Sequence, residues 1–430
     1  MGAGGTATEY LRNVFLRSPI EMRQPVILIV LASTAVALSA CDSPDEPPIG
    51  SETPSTASPL SPASPSQSLQ PVATPELLDN VRNVTEPGFY VLEPATASLW
   101  RVGPSQGASG AWSADGRFFV RFGQGQQDAD VVDLAAGSAR RVFSGAFWHF
   151  SWSPDGSHMA FTTGDGLFTV QRDGTDLRLA AAIDGTAGMG WSPRGDLIAS
   201  AERYAVRITG VSTGETRVVS PEVGADDLLG FMAWLPDGNR LLFCSSQATD
   251  ATLSRLSPGT YIYDLTSESA RKLADNCGVS VSPDGSSYTF SDSTGIFTAS
   301  IDASQPPNLL AAGGASGAWS ADGTWFAFAK DGCLTDDYDI YAVRSEGGAI
   351  VRLTDSPHVL KESAGWSPVA NQIAYSALLE DSQGLLLLDA NTMELRTLLT
   401  STRDFHIHGP RWSPDGRYIS FSGGGGHGAC

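Results

Sequence analysis

The chain has 430 residues and a formal charge of −20, set by 47 acidic against 27 basic side chains. So acidic a surface repels phosphate backbones and anionic headgroups, which argues against nucleic acid or lipid headgroups as the main partner, although solubility of an exported protein explains the charge equally well. The length would hold about two or three ordinary domains.

In chain order, the first feature is Arg23 followed by an apolar run, Val26 to Ala37, that ends in Leu38-Ser39-Ala40-Cys41. The run is short for a bilayer span and has the length of a signal-peptide core. Its end resembles the bacterial lipobox, in which a signal peptidase cuts before a cysteine that becomes lipid-modified. That resemblance implies a signal peptide over 1–40, lipidation of Cys41 and a membrane-anchored lipoprotein outside the cytoplasm, in the periplasm or at the cell surface. An uncleaved anchor or an unmodified secretory signal is the alternative. Met22 offers a second start, which would make residues 1–21 an extension.

Residues 42–75 carry nine prolines and eight serines and almost no large apolar side chains. Such a stretch cannot bury enough surface to fold, so 41–75 is expected to be a disordered tether behind the lipidated cysteine. If polyproline-like, at about 3.1 Å per residue, it reaches on the order of 100 Å.

From residue 88 onward the sequence repeats. Pentads of the type Trp-Ser-Pro-Asp-Gly start at Trp112, Trp152, Trp191, Trp234, Val281, Trp319, Trp366 and Trp412, about 43 residues apart. This matches the roughly 40–45 residues of a four-stranded propeller blade. Proline presets φ for a turn, aspartate accepts backbone hydrogen bonds and glycine takes positive φ, so one strand should end at the Trp and the next begin after the Gly. Short β-prone runs such as Arg240-Leu241-Leu242-Phe243 and Tyr418-Ile419-Ser420-Phe421 follow the pentads. Seven units hold four strands each, whereas the unit at Trp412 stops near Phe421. The missing hairpin reads at the other end, in 88–93 and 98–102. The prediction is an all-β, eight-bladed β-propeller over 76–422, with seven blades as the alternative, in which the N- and C-terminal strands share one blade and leave no open edge. Residues 423–430 read as a flexible Gly-rich tail.

The pentad, the Ile-Ala-Phe-like strand after it and the Asp-Ile-Tyr-Ala-Val-Arg-like strand before the next turn resemble the TolB-type, WD-repeat-like propeller repeat. The family resemblance covers roughly 88–422 and implies the fold. Similar repeats occur in periplasmic scaffolding proteins, in the propeller halves of prolyl-oligopeptidase-like enzymes and in a metal-dependent oligogalacturonide lyase. Three units depart from the pattern: Val281 replaces Trp, Trp191-Ser192-Pro193-Arg194-Gly195 lacks Asp, and Trp366-Ser367-Pro368-Val369-Ala370 lacks both Asp and Gly. Those blades are expected to be less regular.

Candidate chemistry gathers opposite the pentad turns, where propellers usually bind ligands. Trp148, His149, His358, Glu362, His406 and His408 all map to that mouth. Two histidines at i, i+2 leave a strand on the same side, and with Glu362 they could hold Zn or Mn. The lyase resemblance implies such a centre. Against it, His406 and His408 share parity with Trp412, which points them toward packing against a neighbouring blade. The acidic stretch Asp331 to Asp339 fits no defined calcium loop. Gly-x-Ser-x-Gly occurs at 103–107 and 210–214 without a helix after it, so neither reads as a nucleophile elbow. Of the cysteines other than Cys41, adjacency favours a Cys244–Cys277 disulfide, with Cys333 and Cys430 left over.

The function expected from these residues is that of a non-catalytic, lipid-anchored binding scaffold for a protein, a peptide or a cell-envelope component, with no metal and no cofactor. The alternative is a metal-dependent polysaccharide lyase or hydrolase at the channel mouth.

Overall fold

The computed structural model describes residues 83–84 and 86–425, apart from the connecting segments 104–109, 123–126, 184–185, 203–204, 220–228, 246–258, 278–279, 314–316, 332–337, 355–363 and 380. The signal, lipobox and tether expected over 1–75 lie outside the described residues. So do His358, Glu362, Cys333 and Cys430.

Each pentad ends an inner strand and starts a turn. In the first unit the inner strand Gly110–Trp112 pairs antiparallel with Phe118–Phe122, then Asp128–Asp133, then Ser138–Ser144 at the rim. The turn is held by its own residues. Ser153 Oγ donates to Asp155 Oδ1 at 2.6 Å and accepts from His158 N at 2.9 Å, while Gly156 N donates to Ser153 O with the glycine at φ +65°. The same arrangement recurs at Ser113, Ser282, Ser320 and Ser413. In the third unit Asp196, placed after the glycine, substitutes for the missing aspartate and accepts from Ser192 Oγ at 2.8 Å.

The described strands form eight sheets of this kind, one per pentad, so the ring has eight blades rather than seven. The eighth is composite: Gly88–Glu93 and Ser98–Gly103 from the N-terminal side pair beside Phe405–Trp412 and Ile419–Gly425. Tyr90 stacks on Phe421 with ring centroids 5.4 Å apart, and Arg417 Nε meets Glu93 Oε1 at 2.7 Å. The last strand continues through Gly425 instead of stopping at 422. A further strand, Asn83–Val84, adds in parallel to the rim strand Leu395–Thr402 of the seventh blade, giving that sheet five strands.

The core lies between blades rather than within one. Val120, Phe122 and Val131 of the first blade pack against Trp152, Met159 and Phe161 of the second in one buried cluster. Each large side chain buried in such a seam contributes roughly 1.5–3 kcal/mol. The signature tryptophans stitch the seams by hydrogen bonds as well. Trp152 Nε1 donates to Ala111 O at 3.1 Å, Trp191 to Ser151 O at 3.2 Å, Trp234 to Gly190 O at 3.1 Å, Trp366 to Ala318 O at 3.0 Å and Trp412 to Gly365 O at 3.1 Å. In every case the acceptor is the residue directly before the pentad of the preceding blade.

The irregular units differ among themselves. In the fifth blade the described part of the inner strand is Ser280–Val281, with valine in the tryptophan slot. In the seventh, without Asp and Gly, no residue of the pentad takes positive φ, and Gln372 N reaches back to Ala370 O at 2.8 Å. The third blade, with its relocated aspartate, keeps full strands.

Candidate functional site

The inner strand of the eighth blade, Phe405–Trp412, carries the histidine pair, and its register corrects the parity argument made from sequence. Opposed residues of an antiparallel pair share a face. His406 faces Gly424 and His408 faces Ser422, but Arg411 faces Ser420 because the register shifts between His408 and Arg411. The extra residue is absorbed at Gly409, with φ +60°, followed by Pro410. Such a bulge reverses the alternation beyond it. His406, His408 and Arg411 therefore lie on one face, while Phe405, Ile407 and Trp412 lie on the other. Phe405 and Ile407 are buried against Leu385, Leu387 and Leu399 of the seventh blade, the place that sequence parity gave to the histidines.

The two imidazoles stack, with centroids 5.6 Å apart and planes 14° from parallel, and both are partly exposed. Gln383, buried in the seventh blade, fixes the tautomer of His406. Its Oε1 accepts from Ile407 N at 2.8 Å, which sets the amide's orientation and turns its NH₂ to His406 Nδ1 at 2.9 Å. Nδ1 then accepts, and in the neutral ring the proton sits on Nε2. A metal-binding histidine needs the reverse: a free lone pair on the coordinating nitrogen and a donated N–H at the other. His406 as held here is a donor through Nε2, so it does not fit as a ligand at that atom. Glu362 and His358, the partners expected for it, fall outside the described residues. Among the described residues no three histidine, cysteine or acidic side chains come together as a metal-holding group.

Trp148 and His149 extend the inner edge of the second blade: Trp148 N donates to Thr162 O at 3.0 Å and Thr162 N to His149 O at 3.1 Å. Trp148 is 51% exposed, whereas Trp152, Trp191, Trp319 and Trp366 are 3–8% exposed in the seams. Cys244 and Cys277 are joined by a disulfide, with Cα atoms 5.5 Å apart.

Other sequence candidates resolve into structure. Asp339 is buried and pairs with Arg352 Nε at 2.8 Å and Thr354 Oγ1 at 3.0 Å, which removes it from any calcium loop. Residues 210–214 form the turn between Val206–Gly210 and Thr216–Val218, with Gly214 N on Gly210 O. A cleft of about 430 Å³ opens between the fifth and sixth blades on the pentad face, bordered by Asp284, Asp322 and Glu346. Ser287, which lines it, stands where other blades carry the larger Phe118, Trp325 or Tyr418. Two of its carboxylates are spent locally. Asp284, held below the usual range by Ser282 and Ser286, and Asp322, lowered on balance although burial opposes it, accept from their own turns, and Asp322 also from Asn371.

Comparison with protein-family models returns no match, and comparison with curated proteins returns none. Solved structures share the fold. An oligogalacturonate lyase from Vibrio parahaemolyticus is 14% identical, with 73% of this chain and 98% of that one covered and a TM-score of 0.51. Porphyromonas gingivalis dipeptidyl peptidase 4 is 13% identical over 71% of this chain and 56% of that one, with a TM-score of 0.54. TolB from Acinetobacter baumannii is 16% identical over 74% of this chain and 79% of that one, with a TM-score of 0.36. At such identities the likeness is one of fold, a β-propeller, and fold alone does not carry an activity.

Proposed function

We propose that the chain is a non-catalytic binding scaffold that holds a protein or peptide at the mouth opposite the pentad turns, on a lipid anchor outside the cytoplasm. The observation that carries this reading is Trp148, an indole half open to solvent at that mouth while pentad tryptophans such as Trp152 and Trp191 are spent in the seams. Exposed tryptophans set beside a rigid backbone are the residues that anchor protein interfaces. A photo-crosslinking amino acid at position 148 should capture a discrete protein in cells, and one at Val369, exposed in a pentad turn, should not. Equal labelling at both positions would sink the reading.

The anchor rests on the lipobox-like Leu38 to Cys41. Cys41→Ser should move the protein from the membrane to the soluble fraction. Wild-type protein without an acyl mass on Cys41 would remove this part of the proposal.

The lyase-like alternative draws its support from the stacked, partly exposed His406 and His408. The protonated Nε2 of His406 speaks against it. Metal analysis and turnover of an acidic oligosaccharide with added Mn decide the matter: one bound metal per chain, lost with turnover in His406→Ala, would replace the scaffold reading.

A further inference from the structure

Arg411 stands directly before the pentad, where every other blade has alanine, serine or glycine. In six of those blades the next indole takes the carbonyl of this residue. At the closing seam Trp112 takes Ser420 Oγ instead, at 3.0 Å, which frees the position for a long side chain. Arg411 is exposed to solvent, yet among the described residues its guanidinium has no hydrogen bond and no ion pair, and crowding around it lowers its pKa by desolvation. Arg121, Arg207 and Arg352, on other strands of the blades, each hold a carboxylate. In a chain with 47 acidic residues, a cation left without one on an inner strand is a site for an anion from outside.

The same face supplies a second donor, His406 Nε2, since Nδ1 is engaged by Gln383. The opposing residues Gly424 and Ser420 are four apart on their strand, which sets His406 and Arg411 about 13 Å from each other. One carboxylate cannot bridge that distance, but an extended chain of about four residues does.

The geometry points to a binding face for the C-terminal end of an extended peptide, with its terminal carboxylate on the Arg411 guanidinium and a backbone carbonyl of the same segment on His406 Nε2. This rests on the scaffold reading and names the chemistry of the partner. A single arginine suits a ligand with one charge. A polyuronate brings a charge on every sugar into the field of a protein at −20, which opposes its approach.

The test uses octapeptides with randomised last four positions, synthesised as free acids and as C-terminal amides, on the immobilised full chain. Sequences selected from the free-acid pool should lose at least about tenfold in affinity as amides, the scale of a charge-assisted contact. Arg411→Ala, the residue type other blades tolerate, should lose as much, while Arg411→Lys keeps part of the binding because the charge remains. Equal binding of acid and amide, undiminished binding by Arg411→Ala with an unchanged Tm, or an empty selection would each overturn the site. A trimeric uronate that displaces the selected peptide at lower concentration would assign the face to acidic oligosaccharides. If crosslinking at position 148 captures a protein and Arg411→Ala leaves it unaltered, the scaffold stands and only the peptide-end site falls.

Discussion

The indole of Trp112 donates to Ser420 Oγ at 3.0 Å across a sequence separation of 308, and Ser420 Oγ donates onward to Arg411 O at 3.3 Å. The other described indole contacts between blades reach the carbonyl directly, so at the closing seam one hydroxyl is inserted into an otherwise uniform stitch. Tyr418 reinforces it, stacked on Trp112 at 5.8 Å and 6°. Ser420 is 1% exposed, so water cannot easily replace it. Ser420→Ala should cost about 1–3 kcal/mol, because a buried donor and a carbonyl both lose their partner. Urea denaturation of Ser420→Ala, Trp112→Phe and the double variant gives the measure. Strict additivity of the two single losses would show that the relay is not a unit.

The N-terminal residues hold two blades at once. Val84, fully buried, packs among Leu385, Leu399 and Phe405 beside the seventh blade, and residues 88–103 complete the eighth. Val84→Ala should lose roughly 1.5 kcal/mol for about two carbon groups removed from a buried site. Deleting residues 76–103 should instead yield aggregated protein on size-exclusion chromatography, because strand Ile419–Gly425 then presents an open edge. A monomeric, cooperatively folding deletion variant would contradict the ring closure.

Ring size and closure were legible because the pentad puts three local signals, proline, aspartate and glycine, at one spacing, and a turn depends on neighbours in sequence. The tryptophan slot was legible as a seam for the same reason. The orientation of the histidines was not, because alternation was carried across Gly409-Pro410 as if the strand were regular. That dipeptide was the available warning, since glycine or proline inside a strand marks a bulge. The parallel strand at Asn83–Val84 had no signal of its own: two residues give no period, and their partners, Thr400 and Ser401, lie on a rim strand at the far end of the sequence. The role of Gln383 was equally hidden, since a buried amide that fixes a tautomer looks in sequence like any strand glutamine.

The Cys244–Cys277 bridge ties the second strand of the fourth blade to the approach of the fifth, over a separation of 33 residues. It lies next to the blade whose pentad carries Val281 in place of the indole, so the tryptophan hydrogen bond of the other seams is missing there. Removing it should cost about 2–4 kcal/mol. Thermal unfolding with and without reductant checks this: the wild type should lose Tm on reduction, and Cys244→Ala with Cys277→Ala should start lower and not respond. A wild type indifferent to full reduction would mean that the cross-link adds nothing to the fold.

Acid should loosen the pentad turns before it reaches the seams. Ser153 and Ser157 donate side-chain hydrogen bonds to Asp155, joined by the backbone N–H of Ser157, and these hold its carboxyl at about 2, below the ordinary 3.8. Asp284 is lowered in the same way by Ser282 and Ser286. A carboxylate with a folded pKa below its unfolded one stabilises the fold fully above the unfolded value, and that contribution disappears as pH falls through the folded value. The window is therefore from about pH 4 down to about pH 2, and the effect repeats in several blades at once. Tm should fall steeply across this range and stay flat from pH 5 to 7 as far as these groups decide it. Asp155→Ala should lower Tm at pH 7 and converge toward wild type near pH 2, because the contribution it removes is already absent there. A constant gap between the two proteins from pH 7 to pH 2 would show that the turn is held by its backbone and glycine alone, with the carboxylate a bystander.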